Sequence, residues 1–81
     1  MMSDLEMLLL RLWREALDDE TVSLEDNFFE LGGQSISAMQ IISRLEVAQG
    51  LSLPIRLIFD HPTIPSLAIA LEELKVEREI R

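Results

Sequence analysis

Apolar residues recur at the three-to-four-residue spacing of an amphipathic helix in several segments of this 81-residue chain. No segment alternates apolar and polar residues convincingly, so the pattern predicts an all-α fold without a sheet. The predicted helices cover about 4–17, 36–49, 55–59 and 64–76, and a long loop covers 18–34. Because the chain has room for one small domain, we expect a single domain over 1–81, built as a four-helix bundle with a short third helix.

Several predicted helix ends carry capping signals. Ser3 to Glu6 fits a capping box, in which the serine caps the first helix and the glutamate bonds back to it. Gly50 is a suitable residue to end the second helix, and Thr63 to cap the last one. The charged residues from Lys75 onward are expected to fray.

The apolar face of each longer helix supplies candidate core residues, with Trp13 at the border of the first face. They are Leu5, Leu8, Leu9, Leu12 and Ala16; Ala38, Ile41, Ile42, Leu45 and Ala48; and Ile64, Leu67, Ala68, Leu71 and Leu74. In the second helix, Ile36, Met39 and Val47 fall on the opposite side. Apolar residues grouped on an unburied face indicate a candidate docking surface, although isolated ones are normal.

The loop over 18–34 is long for so small a domain, so we expect it to be anchored or functional. At least one of Phe28 and Phe29 should insert between helices. Asp26 and Asn27 are expected to bond to nearby backbone and hold the turn.

Composition excludes several classes of protein. The chain has no cysteine, which excludes disulfides and thiolate zinc sites. A net charge of −8 argues against nucleic acid and anionic membranes as partners. No apolar stretch reaches membrane-spanning length, and the first charges are acids, unlike those of a signal peptide. We therefore expect a cytoplasmic protein.

The segment LGGQS at 31–35 places Ser35 between a glycine pair and the predicted second helix. The start of a helix offers unpaired N–H groups and a positive dipole, which favour a phosphate on this serine. The simpler interpretation is that Ser35 is an unmodified N-cap, a common role of serine. The glycine pair favours modification because it permits close approach by an enzyme, although it also suits a turn.

Other chemistry at this segment has less support. A nucleophile elbow has glycine two residues after its serine, where this chain has Ser37. His61 is expected to serve a turn or packing role rather than to join Ser35 in a triad. Gln34 follows Gly33 where a phosphate-binding loop needs lysine, and the acids lack the spacing of a metal loop. We expect neither a nucleotide site nor a metal site.

The ten residues DNFFELGGQS at 26–35 resemble the attachment motif of phosphopantetheine-dependent carrier domains. Leu53–Ile55 and Phe59–Ile64 resemble a second stretch of the same family, so the resemblance spans nearly the whole chain. Gln34 departs from the histidine or aspartate common before the serine. Fatty-acid-type carriers usually have Asp-Ser-Leu and an acidic second helix, whereas residues 35–50 here are neutral. The resemblance is therefore to the peptidyl carrier, or thiolation, domains of nonribosomal peptide synthetases.

The resemblance implies that Ser35 is the attachment point of a 4′-phosphopantetheine arm, which a phosphopantetheinyl transferase moves from coenzyme A. The thiol of the arm would hold aminoacyl or peptidyl thioesters, and the reactive sulfur would be imported into a cysteine-free chain. The domain itself is then not an enzyme and has no catalytic residues.

The implied partners are an adenylation enzyme and condensation, thioesterase or tailoring enzymes, and we expect the domain to be a monomer. Ile36 and Met39 are candidate docking residues, as are Arg56 and Leu57 on the short third helix. The pathway is expected to make a nonribosomal peptide or a hybrid of peptide and polyketide. The alternative is a helical protein-interaction module in which Ser35 is unmodified.

Overall fold

The computed structural model describes residues 1–80, with side chains through Arg78. Within this range the chain forms four helices, α1 Asp4–Leu17, α2 Ser35–Gln49, α3 Arg56–Asp60 and α4 Ile64–Ile80. An isolated antiparallel bridge joins Asn27 to Thr63, and no strand occurs among the described residues. The all-α fold with a short third helix is confirmed.

The predicted capping signals are present at the helix ends. Ser3 Oγ accepts the Glu6 N–H at 3.1 Å, and Glu6 Oε1 accepts the Ser3 N–H at 3.0 Å, which completes the capping box. Gly50 ends α2 with φ +66. Thr63 Oγ1 accepts the Ser66 N–H at 3.4 Å, and Ser66 Oγ accepts the Thr63 N–H at 3.3 Å, so the start of α4 is capped reciprocally.

The end of α4 differs from the prediction. We expected the chain to fray from Lys75, but the helix continues to Ile80. Arg78 Nη2 donates to the Ser52 carbonyl at 2.8 Å, a contact that ties the last turn to the segment after α2. A cation near a helix C-terminus also interacts favourably with the helix dipole. Arg81, part of the expected tail, lies outside the described residues.

The hydrophobic core forms where α1 packs against α2 and α4, and where α3 packs against α4. Its largest fully buried side chains are Trp13, Phe28, Leu9, Ile41, Leu45, Ile58, Ile64, Leu67, Leu71 and Val22. The indole Nε1 of Trp13 is buried and has no hydrogen-bond partner among the described residues. Trp13 is thus held by packing alone.

The predicted core faces are correct except near their edges. Ala48 was expected in the core but is exposed, because it lies beside Val47 on the rim of a groove between α1 and α2. Leu10 was not expected but is buried. The expected core residues Leu8, Ala16 and Leu74 are only partly buried. A helical wheel gives the angular position of a residue but not where the neighbouring helix ends.

The connection between α1 and α2 is held by specific polar contacts. The Arg14 guanidinium donates to the Val22 carbonyl from Nε at 3.0 Å and from Nη2 at 2.8 Å. Asp26 Oδ2 accepts the Ser23 N–H at 2.8 Å, and Asn27 Oδ1 accepts the Phe29 N–H at 2.9 Å. The turn-holding roles predicted for Asp26 and Asn27 are therefore confirmed.

Replacing Leu45 with alanine should lower the free energy of unfolding by about 2–5 kcal/mol, because the change leaves a cavity on the buried face of α2. Val47→Ala is the matched control, since Val47 is on the same helix and 86% exposed, and its effect should stay within about 0.5 kcal/mol. Urea unfolding followed by circular dichroism measures both. Equal losses would contradict the orientation of α2.

Candidate functional site

The segment before α2 forms a compact turn closed by three backbone hydrogen bonds. Leu31 N–H donates to the Asn27 carbonyl at 3.1 Å, Gly32 N–H to Phe29 at 3.1 Å, and Gly33 N–H to Phe28 at 3.0 Å. The chain then enters α2 through Gln34. The position of Ser35 is consequently set by the turn that precedes it.

The two glycines of this turn serve different purposes. Gly32 has φ +84, a conformation that residues with a side chain rarely adopt, and a Cβ added there would meet nothing within 4 Å. Gly33 has no positive φ, but a Cβ there would lie 2.5 Å from Phe28 Cδ2 and 2.6 Å from Cζ. Gly32 therefore makes the turn, whereas Gly33 makes room for an aromatic ring.

Ser35 is exposed and is the first residue of α2. We predicted that the helix would begin at Ile36 with Ser35 as its cap. Instead the N-cap is Gln34, with extended φ −127 and ψ 171, and no side-chain hydrogen bond caps the helix. The Ser35 hydroxyl is thus not engaged in capping.

The surroundings of Ser35 suit a phosphate ester. The first bond inside the helix is from Ala38 N–H to the Gln34 carbonyl at 2.9 Å, so the earlier N–H groups of the helix have no acceptor within it. The first turn of α2 contains no acidic residue that would repel an anion. Ser37, the other hydroxyl of this turn, is partly buried.

The described contacts provide no arrangement for hydrolase chemistry at Ser35. Among the side-chain hydrogen bonds of residues 1–78, none joins Ser35 to His61 or to an acid. His61 lies at the end of α3, where its N–H donates to the Leu57 carbonyl at 2.9 Å. The predicted turn role of His61 is confirmed.

A row of aromatic rings runs from the core to the surface beside the turn. Trp13 and Phe28 are in edge contact at 5.3 Å between ring centroids, as are Phe28 and Phe29 at 5.7 Å. Phe29 in turn stacks on Phe59 of α3 at 5.4 Å. Phe28 is fully buried, which confirms that one of the two phenylalanines inserts between helices.

The sequence did not identify Phe59 as part of this row. Phe59 and Phe29 are far apart in the chain, and neither belongs to a periodic pattern of aromatic residues. The only signal in the sequence was that Phe59 is an aromatic residue within a short helix. This signal does not indicate which ring it contacts.

Comparison with known proteins identifies the family. Residues 8–71 match the family described as "Phosphopantetheine attachment site". The chain belongs to this family. It is a carrier domain of the peptidyl type, and the cofactor of the family is 4′-phosphopantetheine.

The relatives of this carrier domain include peptide synthases. The chain is 42% identical over 66 residues to gramicidin S synthase 2 of Brevibacillus brevis, an alignment that covers 82% of this chain and 2% of that protein. It is 35% identical over 66 residues to surfactin synthase subunit 1 of Bacillus subtilis, also covering 82% and 2% respectively. The chain thus spans only a few per cent of the length of these relatives.

Solved structures share the fold of this domain. A free-standing peptidyl carrier protein from an Acinetobacter baumannii secondary metabolic pathway is 29% identical with a TM-score of 0.78, covering 86% of this chain and 91% of that one. A chain from the complex of the phosphopantetheine transferase Sfp with coenzyme A and a peptidyl carrier protein is 27% identical with a TM-score of 0.82, covering 90% and 95%. The four-helix arrangement is therefore that of peptidyl carrier proteins.

The candidate docking residues of the carrier domain differ in exposure. Ile36 is 70% exposed and Met39 59%, and they line a shallow groove on α2 with Gln40, Ser43 and Arg44. On α3, Arg56 is exposed, whereas part of Leu57 packs against the core. Among the described helices, none is both long and apolar enough to cross a membrane.

Gly32→Ala is expected to lower the free energy of unfolding by about 1–2 kcal/mol, because alanine is strained in a left-handed conformation even where space is open. Gly32→Asn should cost less, since asparagine tolerates this conformation better than alanine. Thermal unfolding of the two variants measures the difference. A larger loss with asparagine than with alanine would show that the backbone angle is not the constraint at this position.

Proposed function

We propose that Ser35 carries the 4′-phosphopantetheine arm and that the domain holds aminoacyl or peptidyl thioesters during nonribosomal, or hybrid peptide–polyketide, synthesis. The supporting observation concerns Ser35, which is exposed and whose hydroxyl does not cap the helix. It lies at the positive end of a 15-residue helix, within the region that matches the family. When attached, the arm supplies a terminal thiol that the cysteine-free chain lacks. Residues 1–81 act as one carrier unit in this proposal.

Attachment requires the Ser35 oxygen to attack a phosphorus atom. The Oγ–P bond forms at the phosphorus that bears the pantetheine, and the pyrophosphate P–O bond of coenzyme A breaks. Adenosine 3′,5′-bisphosphate is the leaving group, and the hydroxyl proton is lost, so that a phosphodiester results. The residues of this chain contribute position and electrostatics. The free N–H groups at the start of α2 stabilise the added negative charge, and the absence of an acid in the first turn avoids repulsion.

The remaining chemistry belongs to partner enzymes in this proposal. The domain is not itself an enzyme, and a phosphopantetheinyl transferase, an adenylation enzyme, and condensation, thioesterase or tailoring enzymes act on it as a monomer. The presence of peptide synthases among its relatives supports these partners. Since the arm is drawn from coenzyme A, we place the domain in the cytoplasm.

Incubation with coenzyme A and a promiscuous phosphopantetheinyl transferase should add the mass of one phosphopantetheinyl group, as measured by intact-protein mass spectrometry. Ser35→Ala should abolish the addition, whereas Ser37→Ala should retain it. Modification that survives Ser35→Ala would refute the assignment. A wild-type chain that is never modified would favour the interaction-module alternative.

The Ser35→Ala variant should remain folded. Because Ser35 does not cap α2, its replacement by a good helix former should change the free energy of unfolding by no more than about 0.5 kcal/mol. Circular dichroism melting of the same sample separates a lost attachment site from a lost fold.

We further propose that Ile36 and Met39 of α2 contact partner enzymes, and that Arg56 and Leu57 of α3 are secondary contact residues. Ile36 and Met39 lie within about one turn of Ser35 on a face that the core does not use. A partner that docks on this face therefore lies next to the arm on Ser35. The partly buried Leu57 offers less area than the two residues of α2.

Met39→Glu should leave the melting temperature nearly unchanged but should impair loading by a cognate adenylation enzyme, because burying an unpaired charge at an apolar contact is costly. The matched control is Ile69→Glu on α4, where the replaced side chain is 61% exposed compared with 59% for Met39. Melting curves and loading kinetics are measured for both. Equal loading by the two variants would contradict docking at Met39.

A further inference from the structure

Phe28 is the residue that fixes the backbone immediately before the proposed attachment site. Its carbonyl accepts the Gly33 N–H at 3.0 Å, and its ring occupies the space that a Cβ of Gly33 would need. Gly33 is therefore held twice by one residue, through a hydrogen bond and through packing. Ser35 follows two positions later.

Phe28 is itself immobilised from two directions. Its ring meets Trp13 of α1 at 5.3 Å with an interplanar angle of 68°, and both side chains are fully buried. Its N–H donates to the Pro62 carbonyl at 2.7 Å, next to the bridge between Asn27 and Thr63. Both the core and the turn between α3 and α4 therefore determine where this ring lies.

Apart from the backbone hydrogen bonds of the turn and the buried Ala38 of α2, the start of α2 has few other restraints on this side. Gln34 caps the helix without a side-chain hydrogen bond. Gly32 has open space around the position of a Cβ. The contact between Phe28 and Gly33 thus links the residues just before α2 to the core through a defined steric fit.

We propose that Phe28 is a positioning residue for the modification of Ser35, acting through its contact with Gly33. The proposal rests on the proposed function, in which Ser35 is the attachment site. In this proposal, glycine is required at position 33 because any side chain would displace the ring or the turn. Displacement of either would move the Ser35 hydroxyl from the place where a transferase meets it.

The test is a double-mutant cycle on the whole chain with Gly33→Ala, Phe28→Leu and both together. Because Gly33 has no positive φ, its backbone angle does not disfavour alanine. The clash is with the ring of Phe28. Each variant is incubated with coenzyme A and a phosphopantetheinyl transferase, and kcat and KM are measured at a temperature where circular dichroism shows it folded. Gly50→Ala is the control, since Gly50 has φ +66, open space and a place at the far end of α2.

Gly33→Ala should lower kcat by about tenfold to a hundredfold, the effect of a small misplacement of a reacting group. KM for the carrier should change little, because the substitution leaves unchanged the exposed face of α2 that partner enzymes are proposed to contact. In the Phe28→Leu background, Gly33→Ala should have almost no further effect, because the smaller side chain leaves room for the methyl group. Gly50→Ala should lower the melting temperature without lowering kcat.

Several results would overturn the proposal. One is that the Gly33→Ala variant has the same kcat as the wild-type chain, when the wild-type chain is itself modified at Ser35. Another is an equal loss of kcat from Gly33→Ala in both backgrounds. If Gly33→Ala fails to fold, Phe28→Leu alone decides, and an unchanged kcat in that variant overturns the proposal. If the wild-type chain itself is not modified, the proposed function is refuted instead. The reaction of the wild-type chain therefore distinguishes the two failures.

Discussion

Phe28 fills the space between Trp13 of α1 and the backbone of Gly33, and the rest of the structure depends on this packing. The connection between α1 and α2 is long, and its ordering costs conformational entropy that buried contacts must offset. A fully buried aromatic ring supplies the largest apolar contact available to that connection. Through its N–H, the same residue also binds the turn before α4 at Pro62.

Polar contacts refine this arrangement but do not provide most of its stability. Glu15 bridges Arg44 of α2 at 2.7 Å and Arg11 of α1 at 3.6 Å, but all three side chains are about half exposed or more. Ion pairs of this kind contribute about 0–1 kcal/mol. Near the surface, the Asp19 carboxylate accepts hydrogen bonds from the Thr21 hydroxyl and N–H, which hold the pKa of this carboxyl below its usual value. The helices are therefore held together mainly by apolar burial.

This division of roles suits a domain whose chemistry is carried by an attached arm. The core occupies one side of α2, while Ile36 and Met39 remain exposed on the other, next to Ser35. A small domain has little room for a deep active-site cavity. It can, however, present one hydroxyl and one apolar face in a fixed relation, which is what the turn over 28–33 and the first turn of α2 provide together.

The sequence by itself determined the helices, several of their caps and the family. Helical periodicity and capping boxes involve residues three or four positions apart, and the attachment motif over 26–35 is continuous, so each could be recognised locally. The same locality explains why Asp26 and Asn27 were correctly predicted to hold their turn.

Only the tertiary structure decided the features that depend on distant residues. Four features follow from such neighbours: the need for glycine at position 33, the stack of Phe29 on Phe59, the exposure of Ala48 and the extension of α4 past Lys75. A local pattern states which face of a helix is apolar, but it does not state what covers that face. In particular, Gly33 is explained by the ring of Phe28, and the place of that ring is set by Trp13 on a helix that lies well before the turn in the chain.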